Sequence, residues 1–174
     1  MISESTEQFR LQLLTKGHDR ESFTCGVPSF DSYLKTQAAQ DLRRKANAVF
    51  VMVRPEAPER IVGFFTLCAY GVARGEIPEG AQKHLPRYPL VSATLIGRLA
   101  VSSSEQGRGI GRKLLASALE KAYQNSGVVG SSMVVVDAIN EGAARFYRAH
   151  GFIQLPDSMR LILPMRTIGS LAVE

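Results

Sequence analysis

At 174 residues, 45% hydrophobic and 21% charged, the chain can bury one substantial core and is short for two. Its net charge of +5 favours anionic partners without naming one. Cys25 and Cys68 lie far apart, outside any Cys-x-x-Cys or Cys/His cluster, which argues against a disulfide scaffold or a zinc site.

The N-terminal "MISESTEQFR" lacks the charged-then-apolar pattern of a signal peptide. Phe9 to Leu14 alternates and reads as a first strand, closed by the turn "TKGHDR". Then "CGVPSFDSYLKTQAAQDLRRKANA" runs on without a breaker after its Gly and Pro. Phe30, Tyr33, Leu34, Ala38 and Leu42 recur every three or four residues, predicting one helix with Arg43, Arg44 and Lys45 in its last turn.

"AVFVMV" (48–53) is a strand, "RPEAPER" a turn, and "RIVGFFTLCAYGVAR" a long strand expected to pair antiparallel with the one before it. Its most apolar part, Ile61 to Ala73, is too short to span a bilayer. "GEIPEGAQKHLPRYPL" carries three prolines and reads as a long loop with room for one helical turn. "SATLIGRLAVS" is again a strand. An amphipathic helix then runs from Gly109 to Gln124, on Ile110, Leu114, Leu115, Ala118, Leu119 and Ala122. "SSMVVVDA" is a buried strand, Asn140 to Arg148 a helix, and "GFIQL" and "MRLILPM" two closing strands about a turn at Pro156-Asp157. No repeat or composition break divides the chain, so the expectation is one mixed α/β domain over 1–174 in a reducing cytoplasm.

The densest motif is "EQGRGIGRKLL", Glu105 to Leu115, at the head of the long helix. The spacing excludes G-x-x-x-x-G-K-[ST]. It also excludes G-x-G-x-x-G, because the third glycine position holds Arg112 or Leu114. What remains is Gln106-x-x-Gly109-x-Gly111 between a strand and a helix. There the first-turn N–H groups, with Arg108 and Arg112, can cradle a diphosphate. A glycine turn needed only for tight strand-to-helix packing is the competing explanation.

This turn resembles the acetyl-CoA loop of the GNAT N-acetyltransferases. "RLAVS" before it and "NEGAARFYRAHGF" after it match that family too, as does the order of elements over nearly the whole chain. The stretch His18 to Arg44, "HDRESFTCGVPSFDSYLKTQAAQDLRR", is similar to the opening of one branch, the bacterial toxins that acetylate aminoacyl-tRNA. Phe30 and Lys35 stand where that branch would have Leu and Arg.

The resemblance implies a GNAT fold, a mixed and mostly antiparallel sheet with splayed central strands and flanking helices. It implies acetyl-CoA as cosubstrate and no metal. Gln106, Gly107, Arg108, Gly109, Ile110, Gly111 and Arg112 would hold the diphosphate. The backbone of Leu99, Ala100 and Val101 would meet the pantetheine arm, and Asn140 would cap its helix and touch that arm. Tyr147 falls where the family keeps the general acid that protonates the departing thiolate, although by residue type alone it reads as a core aromatic.

A ribbon-helix-helix antitoxin and a homodimer are the implied protein partners. For a charged tRNA, Arg98 is the leading contact, with Arg43, Arg44, Lys45 and Arg87 as further candidates. His18, His84 and His150 read as isolated surface histidines, and no Glu on the strand before the turn offers a base. An α-amine, with a pKa of about 7.7–8.0 that an adjacent ester lowers, needs less help than a lysine amine near 10.4. The alternatives are acetylation of a small amine or protein N-terminus, and a non-catalytic acyl-CoA-binding module.

Overall fold

The computed structural model describes residues 8–172. In chain order it contains β1 (Arg10–Leu13), α1 (Pro28–Thr36), α2 (Ala38–Arg43), β2 (Ala48–Val53) and β3 (Gly63–Ala73). Then follow α3 (Glu79–Gln82), β4 (Leu90–Val101), α4 (Ile110–Ser126), β5 (Met133–Asp137) and α5 (Glu141–Ala149). β6 (Ile153–Gln154), β7 (Arg160–Pro164) and α6 (Met165–Ala172) close the described chain, and short 3-10 turns occupy Arg74–Glu76 and Ser103–Glu105.

The strands hydrogen-bond in the order β1-β2-β3-β4-β5-β7-β6. β1–β2, β5–β7 and β6–β7 pair antiparallel, whereas β4–β5 is parallel, with Ala93 opposite Met133 through to Ile96 opposite Val136. The sheet is therefore mixed, as expected. Met133 to Val136 are all buried, the near-continuous apolar run of a strand covered on both faces.

Two compact units divide the chain. One takes the residues up to Thr66 together with Arg98–Leu115, the other Leu67–Gly97 together with Ala116 onward. The first has its own core around Leu34, Val49, Val51 and Phe64, with Phe23 edge-on to Phe64 at 5.4 Å between ring centroids. The second has its core around Val72, Val91, Met133, Val135 and Ile162. Each fully buried side chain of this kind contributes about 1.5–3 kcal/mol relative to exposure.

Three local expectations are corrected. The predicted single helix is two, because Gln37 leaves helical geometry (φ −121°, ψ −32°) between α1 and α2. The closing stretch does not end in strand: Pro164 is the last residue of β7, and α6 begins at Met165, burying Met165 and Ile168. His18 is buried rather than at the surface. Its Nδ1 accepts from the Thr15 N–H at 3.0 Å, and its Nε2 pairs with Gln12 Oε1 at 3.1 Å.

Burial holds the His18 imidazole below its ordinary pKa. The unfolded chain therefore takes up a proton near pH 6.5 that the folded chain refuses. Stability from this group is complete above that pH and declines as pH falls from there to the lowered folded value. Thermal melts from pH 7.5 to 5 should show this decline in the native protein and a flatter profile in His18→Gln.

Candidate active site

In the first unit, β4 ends at Val101 and the chain is pinned at once: Ser102 N–H donates to Val62 O at 2.8 Å and Ser103 N–H to Thr24 O at 2.8 Å. The 3-10 turn Ser103–Glu105 then delivers the chain to the glycine motif. Gly107 (φ +82°) and Gly109 (φ +76°) both adopt left-handed backbone that L side chains avoid. A Cβ on either would meet nothing within 4 Å. The backbone conformation, not crowding by the protein, requires glycine here, and the turn borders open space.

The N–H groups of Gln106 to Gly109 donate to no backbone carbonyl among the described residues. Those of the first α4 turn have no intrahelical acceptor. A 17-residue helix adds the positive end of its dipole, and the exposed side chains of Arg108 and Arg112 flank the turn. These residues fit a diphosphate. Ile110 contributes backbone only, since its side chain is buried. Gln106 braces the turn: its amide nitrogen donates to Cys25 O at 2.9 Å and to Val101 O at 3.0 Å. Ala100 is buried and Leu99 and Val101 are half-buried, so the strand before the turn has few side-chain atoms to offer a ligand.

Glu105 carried no assignment from the sequence, yet it is the most buried charge at this site, 4% exposed. Both its oxygens are held by Arg54, at 2.7 and 2.8 Å, a bidentate pair. Arg108 reaches it at 3.5 Å and Arg60 at 3.8 Å. The Arg54 hydrogen bonds, with the charges of all three arginines, hold the Glu105 carboxyl below the usual carboxylate range.

The cations that the sequence nominates in this unit lie at or near the surface. Arg98 stacks over the Tyr33 ring, 3.4 Å from its centroid, and its side chain makes no hydrogen bond to another described residue. Tyr33 in turn donates to Asp41 at 2.8 Å, while Gln37 and Asn47 donate to the same carboxylate at 2.9 and 3.1 Å. Arg43, Arg44 and Lys45 are exposed where α2 ends.

The second unit carries Asn140, Tyr147 and Arg87. Asn140 is the N-cap of α5, its side-chain oxygen accepting from Ala143 N–H at 2.8 Å. Asn140→Ala should cost about 1 kcal/mol, read as a lower midpoint in urea unfolding. Tyr147 is 6% exposed, packed edge-on against Phe146 and Phe152 at 5.3 Å each. Its hydroxyl bonds to no described residue, and it is not among the fully enclosed unpaired polar atoms, so it keeps some access to solvent. Burial pushes its pKa above the ordinary phenol value, so the proton is retained at neutral pH.

Arg87 is exposed beside the equally exposed Tyr88. Sequence reasoning missed Arg160, which pairs bidentately with Asp137 at 2.7 and 3.0 Å and donates to Tyr70 Oη at 2.8 Å. Of the other histidines, His150 Nδ1 lies 2.8 Å from Phe146 O and His84 Nδ1 lies 3.3 Å from Arg166.

A left-handed glycine turn bordering open space at the head of a long helix, flanked by exposed arginines, suits a protein that holds a diphosphate-bearing ligand. The chain belongs to the acetyltransferase (GNAT) family, which it matches over residues 14–152. It is 32% identical over 159 residues to the tRNA-acetylating toxin of Mycobacterium tuberculosis (strain ATCC 25618 / H37Rv), covering 91% of this chain and 93% of that protein. Its fold is similar to that of AtaT complexed with acetyl-methionyl-tRNAfMet, with a TM-score of 0.86, 29% identity and coverage of 95% of this chain and 99% of that one. A tyrosine-to-phenylalanine mutant of the AtaT toxin, bound to the C-terminus of the antitoxin AtaR and to acetyl-CoA, matches with a TM-score of 0.81, 26% identity and the same two coverages, 95% and 99%.

Proposed function

We propose that this chain transfers acetyl from acetyl-CoA to the α-amine of aminoacyl-tRNA and thereby blocks translation as the toxin of a toxin–antitoxin pair. The observation that carries the acceptor assignment is the likeness to a tRNA-acetylating toxin over 91% of the chain. The donor assignment is supported by the glycine turn, with its left-handed Gly107 and Gly109 facing open space.

Acetyl-CoA supplies the activated thioester. Gln106 to Arg112 receive its diphosphate on backbone N–H groups and on Arg108 and Arg112. The backbone of Leu99, Ala100 and Val101 aligns the pantetheine arm, and the family resemblance assigns Asn140, whose side-chain oxygen caps α5, to the same arm. The neutral α-amine attacks the thioester carbonyl and gives its surplus proton to water; as the C–S bond breaks, Tyr147 delivers its proton to the departing sulfur and regains one from solvent. Two relationships support that role: its unpartnered hydroxyl, and the tyrosine-to-phenylalanine form in which the AtaT relative was solved.

Arg98, Arg43, Arg44, Lys45 and Arg87 serve as phosphate or base contacts to the tRNA. Arg98 is the leading one: Tyr33 holds its plane while its N–H edge is left to donate. The reading places the protein in the cytoplasm, where charged tRNA is, as one catalytic domain over 1–174, working as a homodimer and neutralised by a ribbon-helix-helix antitoxin. No helix among the described residues is long and apolar enough to cross a membrane.

Cell-free translation tests the toxin assignment. Protein plus acetyl-CoA should arrest synthesis, and protein alone, in extract depleted of acetyl-CoA, should not. Arrest independent of acetyl-CoA, or no arrest with it, contradicts the reading.

A further inference from the structure

We propose that Glu105 is a positioning residue for the donor: its buried carboxylate gathers Arg54, Arg60 and Arg108 so that the glycine turn is already shaped when the diphosphate arrives. The inference rests on the donor reading of that turn and adds a residue that the reading does not use.

Glu105 is the residue immediately before Gln106, and its own N–H is fixed to Ser102 O at 2.9 Å. Its partners come from the chain before the motif and from within it. Arg54, the residue following β2, fills the bidentate face at 2.7 and 2.8 Å. Arg108 lies between Gly107 and Gly109, so its 3.5 Å contact with Glu105 ties the middle of the turn to its start. Arg60 approaches at 3.8 Å and also donates to Ser104 Oγ at 2.8 Å.

Without the carboxylate, these guanidiniums would repel one another and the turn between two flexible glycines would follow. With it, one negative charge stands among three positive ones, leaving an excess of two. Arg60 and Arg108, 57% and 59% exposed, keep donors available outside the cluster. The Glu105 carboxyl is ionised throughout the neutral range, so the arrangement does not change with pH there.

Calorimetric titration with CoA, alongside steady-state kinetics, separates positioning from mere folding support. Three proteins are compared: native, Glu105→Gln, and the double variant Arg54→Met/Glu105→Gln, which removes both ends of the buried pair and so relieves the unpaired charge. Glu105→Gln should weaken CoA binding about 10-fold and raise KM for acetyl-CoA in step, with kcat moving much less. The double variant should regain thermal stability yet still bind CoA weakly. If CoA affinity returns together with stability, or if Glu105→Gln binds CoA as the native protein does, Glu105 is not a positioning residue. If the native protein itself binds no CoA, the donor reading fails first.

Discussion

Tyr147→Phe is expected to lower kcat by about 10²–10⁴-fold, the span of a general acid's contribution, while CoA affinity stays at the native level. The substitution keeps the ring that packs against Phe146 and Phe152 and removes only the hydroxyl. That hydroxyl bonds to no described residue, so its loss leaves no protein group unpaired, and the melting temperature should hold or rise. A tyrosine serving only as core would give the same stability with full turnover. Single-turnover rates and melts on one preparation decide between the two.

Gly109→Ala is the second large effect expected. At φ +76° a Cβ costs roughly 1–2 kcal/mol of backbone strain, which lowers the melting temperature by a few degrees. Beyond its two chain neighbours nothing lies within 4 Å of that Cβ, so the fold itself accommodates the methyl group. A donor diphosphate seated against the turn would not: a misplacement of about 1 Å at a binding turn costs about 10²-fold in kcat/KM for acetyl-CoA. Gly80→Ala is the control. It also meets nothing within 4 Å, has no positive φ, and should leave donor use unchanged.

Periodicity and punctuation made most of the fold legible. The strand at Ala48–Val53 and the long helix from Ile110 stand where alternation and the i, i+3, i+4 pattern put them. The break at Gln37 was not legible, because no Gly or Pro marks it and the apolar stripe runs through it. α6 was hidden because "MRLILPM" reads as strand on both sides of Pro164, and only Met165 and Ile168 mark the new face.

The glycine turn was readable because left-handed backbone demands glycine locally. Glu105 was not, since its main partner, Arg54, is 51 residues away in sequence and a lone Glu before a motif carries no pattern. His18 was misread for the same reason: its burial depends on a folded network with Thr15 and Gln12. Arg160 and Asp137, 23 residues apart, are likewise joined only by the β5–β7 register that sets them opposite each other.

The central claim is the acceptor, and labelling tests it most directly. Purified protein is incubated with radiolabelled acetyl-CoA and total charged tRNA. The tRNA is then recovered, its ester bonds are hydrolysed in mild base, and the released amino acids are separated. The account predicts label on N-acetyl amino acids, dependent on aminoacylation and lost in Tyr147→Phe. Label found only on polyamines or peptides, or equal labelling of uncharged tRNA, would contradict it.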